Sequence, residues 1–129
     1  MQPTIGITAG DPAGIGLEVI LKSIPSVQTS ARWVLFADRS IFDRNAAQFH
    51  INETIEVRDL GDDGAAIRWG VPSNTTGQRA LAYLHAASNA ALAGEIDGIV
   101  TGPVSKGWIG PSFHGQTDFL AQRAGCSNY

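Results

Sequence analysis

The stretch that decides the fold is Thr4-Ile5-Gly6-Ile7-Thr8-Ala9-Gly10-Asp11-Pro12-Ala13-Gly14-Ile15-Gly16. Its first five residues are short, β-branched and bounded by Pro3 and Gly10, which predicts a strand. A loop rich in glycine and proline follows. Apolar residues then recur at helical spacing from Leu17 to Ile24, and Pro25 is expected to end that helix. The sequence therefore begins with a strand, a tight loop and a helix.

The same alternation continues to the end of the chain. The uninterrupted apolar run 33–37 predicts a strand covered on both faces, as in a parallel sheet, whereas the alternating run 55–60 predicts an edge strand. The further elements predicted are a short helix through 41–47, a long helix from Thr76 to a C-capping Gly94, a strand at 96–101 and a last helix capped by Thr117 and Asp118. This order predicts an α/β fold, with a mostly parallel sheet flanked by helices.

Composition narrows the functional classes. The chain has 129 residues and a formal net charge of −3, which suits one domain and argues against a nucleic-acid surface. It contains no apolar run near the roughly 20 residues that a membrane span needs, and no basic-then-apolar leader. The single cysteine, Cys126, excludes an internal disulfide and a multi-cysteine zinc site. We expect a cytoplasmic protein that binds neither membrane nor nucleic acid.

Three polar, glycine-rich segments are candidates for chemistry: residues 9–16, 101–107 and 113–118. In parallel sheets, ligands bind outside the carboxyl ends of the strands, where we expect these segments. Lys106 is a candidate point charge for a phosphate or carboxylate. Gln116 and Thr117 offer an amide and a hydroxyl beside free helix N–H groups, and Asp11 lies in the first loop. The alternatives are structural: Asp11 as a loop cap, Lys106 as a solvated lysine, and Thr117 as a helix cap.

The three histidines give no metal motif. His50, His85 and His114 are far apart in sequence, and neither an HExxH motif nor a pair of carboxylates accompanies them. No metal role is assigned to any of them.

Taken together, the segments resemble the 4-hydroxythreonine-4-phosphate dehydrogenase family. Residues 7–16 resemble its opening signature, and residues 113–120, FHGQTDFL, resemble its Phe-x-Gly-His-Thr-Glu-Phe block. Between them, Thr76-Gly77-Gln78, Gly94-Glu95 and the run 99–106 follow in the family's order. The resemblance extends over nearly the whole chain.

The resemblance implies a fold like that of isocitrate and isopropylmalate dehydrogenases. It implies NAD-dependent oxidation and decarboxylation of 4-phosphohydroxy-L-threonine in pyridoxal phosphate biosynthesis, by a homodimer that uses a divalent metal (Zn, Mg, Mn or Co). Relatives act on phosphorylated threonate or on aromatic cis-dihydrodiol carboxylates. By its position in the motif, Gln116 with Thr117 corresponds to the family's substrate-binding His-Thr pair.

Two departures from the family shape our expectations. Gln116 replaces a histidine, so it carries no charge and relays no proton, which leaves the substrate open. The family is also about twice as long or longer, and its metal histidines and most NAD contacts lie beyond this sequence. Residues 1–129 are therefore interpreted as a single N-terminal α/β domain, or a fragment, of a longer two-domain dehydrogenase. By themselves they are expected to be inactive. A non-catalytic anion-binding module is the competing hypothesis.

Overall fold

The computed structural model describes residues 1–52 and 54–129, and at its centre is a four-stranded parallel sheet. The strands are β1 (Thr4–Thr8), β2 (Arg32–Ala37), β3 (Glu56–Asp59) and β4 (Gly98–Thr101), in the order β3-β2-β1-β4. All neighbouring pairs are parallel, and Ile7 lies between Leu35 of β2 and Val100 of β4. The predicted α/β class is confirmed, and β3 is at an edge as expected.

Five helices connect or follow the strands within the described residues: α1 (Gly16–Val27), α2 (Arg39–Gln48), α3 (Asn74–Leu92), α4 (Lys106–Ile109) and α5 (Gln116–Arg123). α3 packs against β1, β2 and β4. The hydrophobic core is formed mainly by β2, α1 and α3, and it includes Leu21, Val34, Leu35, Phe36 and Tyr83. None of the helices in this part of the chain is both long and apolar enough to span a membrane.

Pro25 does not end α1, contrary to the prediction. The helix continues to Val27, and the N–H of Gln28 still donates to the Ile24 carbonyl at 2.9 Å. Proline lacks an N–H and so removes one hydrogen bond, but in the last turn few bonds remain to be lost. The predicted C-cap Gly94 is confirmed, with a φ of +73° after the end of α3. The spacing of apolar residues from Leu81 onward predicts Leu92 on the buried face of this helix, but Leu92 is exposed.

The starts of two helices also differ from the predictions. α3 begins at Asn74 rather than Thr76, because Ser73 and Thr76 form a reciprocal capping box. The motif was missed because threonine stands where glutamate or glutamine usually does. α5 begins at Gln116 after Gly115, so Thr117 and Asp118 lie in its first turn and do not cap it.

Candidate functional site

The turns after β1 and β4 interlock at the carboxyl edge of the sheet. The N–H of Asp11 donates to the Pro103 carbonyl at 2.9 Å, and the N–H of Gly102 donates to the Thr8 carbonyl at 2.9 Å. A Cβ added to Gly10 would lie 2.3 Å from the Pro103 oxygen, and one added to Gly102 would lie 2.4 Å from the Thr8 oxygen. These glycines are therefore required because one backbone packs directly on the other.

Asp11 ties this loop together. Its side chain is buried; Oδ1 accepts from the N–H of Ala13 at 2.8 Å and Oδ2 accepts from the Thr76 hydroxyl at 3.2 Å. Both carboxylate oxygens thus have partners inside the protein, which matches the structural alternative of a loop cap. A substrate-binding role for Asp11 stays a prediction. The sequence places Thr76 at the start of the long helix and in the family's order, but it predicts no contact with Asp11, which only the tertiary structure shows.

Gln116 belongs to the same edge, although it is far from the interlocked turns in sequence. Its Nε2 donates to the Gly102 carbonyl at 3.1 Å, whereas its Oε1 is buried and accepts no hydrogen bond from the described residues. The sequence led us to expect residues 113–118 at the end of a strand. They follow the short helix α4 instead, but this hydrogen bond still brings them to the strand ends. Buried acceptors rarely lack donors, so Oε1 is free to receive one from a ligand.

Lys106 and Thr117 complete the cluster. Lys106 is the first residue of α4, is exposed, and forms no ion pair with the described residues. Its Nζ lies 3.6 Å from the position of a Cβ built on Gly115, the residue before α5. Thr117 is exposed in the first turn of α5, which no side chain caps. An ammonium near Gly115, together with the hydroxyl and the free N–H groups of the first turn of α5, is suited to an anionic ligand.

A small depression lies beside the cluster. It is lined by Ser112–Gly115, Asp118, Phe119 and Gln122, none of which belongs to the cluster, and it has a volume of about 40 Å³. This is little more than the roughly 30 Å³ that one water occupies in the liquid. The depression is therefore too small for a ligand much larger than water.

The described residues do not fit the metal that the resemblance implies, and the turn after β1 does not fit a cofactor phosphate. Within 1–52 and 54–129, no three or more His, Cys, Asp or Glu side chains are grouped so as to hold a metal. His85 packs edge-on against Phe119, with ring centroids 4.7 Å apart, and His50 and His114 are exposed. The glycine-rich loop after β1 is filled by the Pro103 backbone, so it forms no cradle for a cofactor phosphate.

A third strand end carries charge that is already satisfied. After β2, the fully buried Asp38 accepts hydrogen bonds from Arg79 at 2.6 and 2.8 Å and from the Tyr83 hydroxyl at 2.5 Å. The hydrogen bond to Asp38 raises the pKa of Arg79, and burial together with the bond to Asp38 raises the pKa of Tyr83 above its ordinary 10.0. The network joins β2 to α3.

Known proteins are similar to this chain in sequence and in fold. Residues 16–129 match the family described as pyridoxal phosphate biosynthetic protein PdxA. A 4-hydroxythreonine-4-phosphate dehydrogenase of Synechocystis sp. is 36% identical over 98% of this chain and 41% of its own length. The crystal structure of a 4-hydroxythreonine-4-phosphate dehydrogenase from Burkholderia phymatum aligns with a TM-score of 0.88 and 30% identity, covering 99% of this chain and 45% of that protein.

A related structure carries a different name. The terephthalate 1,2-cis-dihydrodiol dehydrogenase from Burkholderia xenovorans LB400 aligns with a TM-score of 0.77 and 30% identity, over 96% of this chain and 41% of that protein. The chain thus spans less than half the length of the relatives that it matches. The resemblance found in the sequence is confirmed, and the chain belongs to the PdxA family of pyridoxal phosphate biosynthetic proteins.

Proposed function

We propose that residues 1–129 are the N-terminal domain of a longer, two-domain dehydrogenase and form the substrate-binding side of its cleft. The whole enzyme oxidises and decarboxylates 4-phosphohydroxy-L-threonine, with NAD as the hydride acceptor and a divalent metal, as a homodimer in the cytoplasm. The observation that carries the proposal is the cluster of Gln116, Thr117 and Lys106, with its free acceptor and unpaired charge, in a chain of the PdxA family.

Each residue of the cluster has a distinct role in binding. Lys106 neutralises the substrate phosphate as a point charge, and the Thr117 hydroxyl with the first N–H groups of α5 donates to phosphate oxygens. The Nε2 of Gln116 stays with the Gly102 carbonyl, so the side chain acts through Oε1 as an acceptor for a substrate hydroxyl or amine. The metal and the cofactor are held by the remainder of the protein, and no step is derived through them.

The neutral amide at position 116 favours a second candidate substrate. An aromatic cis-dihydrodiol carboxylate carries neighbouring hydroxyls that donate to an amide oxygen and a carboxylate that pairs with Lys106, and the chain resembles a dihydrodiol dehydrogenase in structure. Phosphorylated threonate offers the same two groups. All three candidate substrates carry a hydroxyl and an anionic group, so the cluster accounts for this class of substrate. Measured turnover must decide among the three.

The test is to express the complete coding sequence that contains this chain and to follow NAD reduction with each of the three substrates. We expect turnover of at least one substrate, and a KM raised about tenfold or more by Lys106→Gln. Lys22→Gln, on the other lysine of residues 1–129, is the matched control. A protein that binds phosphate esters, loses that binding in Thr117→Ala and reduces no NAD with any substrate is an anion-binding module instead.

The 129-residue chain by itself is expected to reduce no NAD with any of these substrates, whether Mn²⁺, Mg²⁺ or Zn²⁺ is added. Metal-dependent reduction above the blank would show that the residues described here suffice, and would contradict the two-domain proposal.

A further inference from the structure

A second pocket lies between α2 and the segment that precedes α3. It has a volume of about 500 Å³, within the range of roughly 300–1,000 Å³ that is typical of small-molecule sites. None of its walls comes from residues 101–118. The residues that line it are Pro12, Arg44, Asn45, Ala47, Gln48, Ile67 and Trp69.

A buried polar group without a partner forms part of the wall. Asn45 is only 5% exposed; its Nδ2 donates to the Ile41 carbonyl at 2.9 Å, but its Oδ1 accepts no hydrogen bond from the described residues. The unpaired Oδ1 calls for a hydrogen-bond donor, which a ligand in the pocket can supply.

An aromatic wall is held in place by the neighbouring loop. The Trp69 indole N–H donates to the Gly14 carbonyl at 3.3 Å, and the N–H of Gly70 donates to the Ala13 carbonyl at 2.8 Å. Phe49 packs against Trp69 in a T-shaped contact, with ring centroids 5.0 Å apart. Trp69 nevertheless remains 44% exposed, so it offers a fixed apolar surface on which a planar ring can stack.

Arg44 adds a positive charge at the same pocket. The side chain is exposed and forms neither an ion pair nor a side-chain hydrogen bond with residues 1–52 or 54–129. Its guanidinium remains charged at every physiological pH and suits a phosphate or carboxylate in a two-point contact. Pro12 and Ile67 are buried apolar neighbours, which disfavours a ligand that is polar throughout.

We propose that this pocket binds a planar ring that carries both a hydrogen-bond donor and an anionic group. The ring stacks on Trp69, its donor meets Asn45 Oδ1 and its anion pairs with Arg44. Two sources share this chemistry: an adenine nucleotide, with its exocyclic amine and phosphate, and a hydroxypyridine phosphate. The proposal is independent of the function assigned to the cluster around Gln116.

The experiment is titration of the 129-residue chain, followed by calorimetry and tryptophan fluorescence. The probes are AMP, pyridoxine 5′-phosphate, adenosine, ribose 5-phosphate and inorganic phosphate. We expect at least one ring phosphate to bind and quench fluorescence, and we expect adenosine and ribose 5-phosphate each to bind about tenfold more weakly than AMP, a loss of about 1.4 kcal/mol. Whichever ring phosphate binds more tightly identifies the source.

Variants assign the binding to this pocket. Arg44→Gln is expected to weaken ring-phosphate binding about tenfold or more and leave adenosine unchanged, whereas Arg68→Gln, an exposed arginine outside the lining, leaves both unchanged. Asn45→Leu is expected to weaken the binding of adenosine as well as that of the ring phosphates. Since a buried substitution affects folding, its urea unfolding is measured alongside. Quenching should disappear in Trp69→Phe and persist in Trp108→Phe.

Three results would overturn the proposal. They are the absence of heat and quenching with both ring phosphates at millimolar concentration, equal affinity for inorganic phosphate and AMP, and binding that Arg44→Gln leaves unchanged. Failure here leaves the substrate cluster untouched, because the probes and variants differ from those that test NAD reduction.

Discussion

The turn after β1 (residues 9–15) and the turn before α5 (residues 110–115) are both glycine-containing, yet they are built for different purposes. In the first, an added Cβ on Gly10 meets the Pro103 oxygen at 2.3 Å and both oxygens of Asp11 are occupied. In the second, a Cβ on Gly115 meets nothing closer than the Lys106 Cε at 3.5 Å. The residue that follows, Gln116, keeps a free acceptor.

The difference teaches that a conspicuous glycine signature does not by itself mark a binding loop. The first turn uses glycine so that two backbones can touch, and its polar groups are consumed in holding that contact. The second turn is less striking in sequence, but the residues on either side of it keep an ammonium (Lys106), an amide oxygen (Gln116) and a hydroxyl (Thr117) available. Chemistry is therefore expected where the fold leaves polar groups unpaired.

The sharpest way to break the comparison is Gly10→Ala. Its φ of +75° and the close Pro103 oxygen combine strain with a clash, so we expect a loss of at least about 3 kcal/mol in the free energy of unfolding. Gly61→Ala is the matched control, because its φ is +86° but nothing lies within 4 Å. It should cost about 1–2 kcal/mol. Urea unfolding measures both, and equal losses would mean that the interlocked backbones are not tightly packed.

The buried carboxylate of Asp38, after β2, shows how much a fully satisfied polar group contributes to stability, for comparison with Asp11 in the first turn. Tyr83→Phe removes the hydrogen bond to the buried Asp38 and should cost about 2 kcal/mol near neutral pH. Because the folded pKa of Tyr83 is raised, its contribution is complete below its ordinary 10.0 and is lost as the pH rises toward the folded value, since the unfolded chain releases that proton first. Unfolding at a series of alkaline pH values should therefore show a steeper fall for the parent than for the variant. Parallel curves would contradict the assigned burial.

Thr76→Val sharpens the comparison at the first turn. It removes the donor to Asp11 Oδ2 and also the Oγ1 that accepts from the Ser73 N–H in the capping box, while keeping the shape of the side chain. We expect a loss of about 1–2 kcal/mol in the free energy of unfolding. Thr75→Val, on the same helical turn but exposed, is the control and should stay within about 0.5 kcal/mol. If the two variants unfold at the same urea concentration, Asp11 is not held by Thr76 and its carboxylate is available to a ligand.

The smallest effect on stability is expected at Lys106, which lies near the second turn. Lys106→Gln should change the free energy of unfolding by less than about 0.5 kcal/mol, because Nζ pairs with no described carboxylate. Lys22→Gln, which breaks an exposed pair with Glu18 at 2.6 Å, provides the scale. A loss as large as that of Thr76→Val would place Lys106 in the packing of the fold rather than in a binding site.

The sequence was a good guide to the elements that packing periodicity controls. The four strands and the helices that flank them were predicted, because β-branched runs and helical spacing reflect which faces are buried. Boundaries set by side-chain hydrogen bonds were less accessible. The start of α3 depends on Thr76 bonding back to Ser73, and the four-residue α4 has no periodicity to read.

Within the candidate site, the sequence by itself determined the residue types: Lys106, Gln116 and Thr117 were identified from their motifs, and Gln116 from its departure from the family's histidine. Only the tertiary structure decided which groups remain available. Asp11 and Gln116 are both polar candidates in the sequence. In the fold, each carboxylate oxygen of Asp11 accepts a hydrogen bond, one of them from Thr76, which is distant along the chain. The Oε1 of Gln116 accepts none from the described residues. The reason is physical: whether a polar atom is satisfied depends on partners that only folding brings within hydrogen-bonding distance.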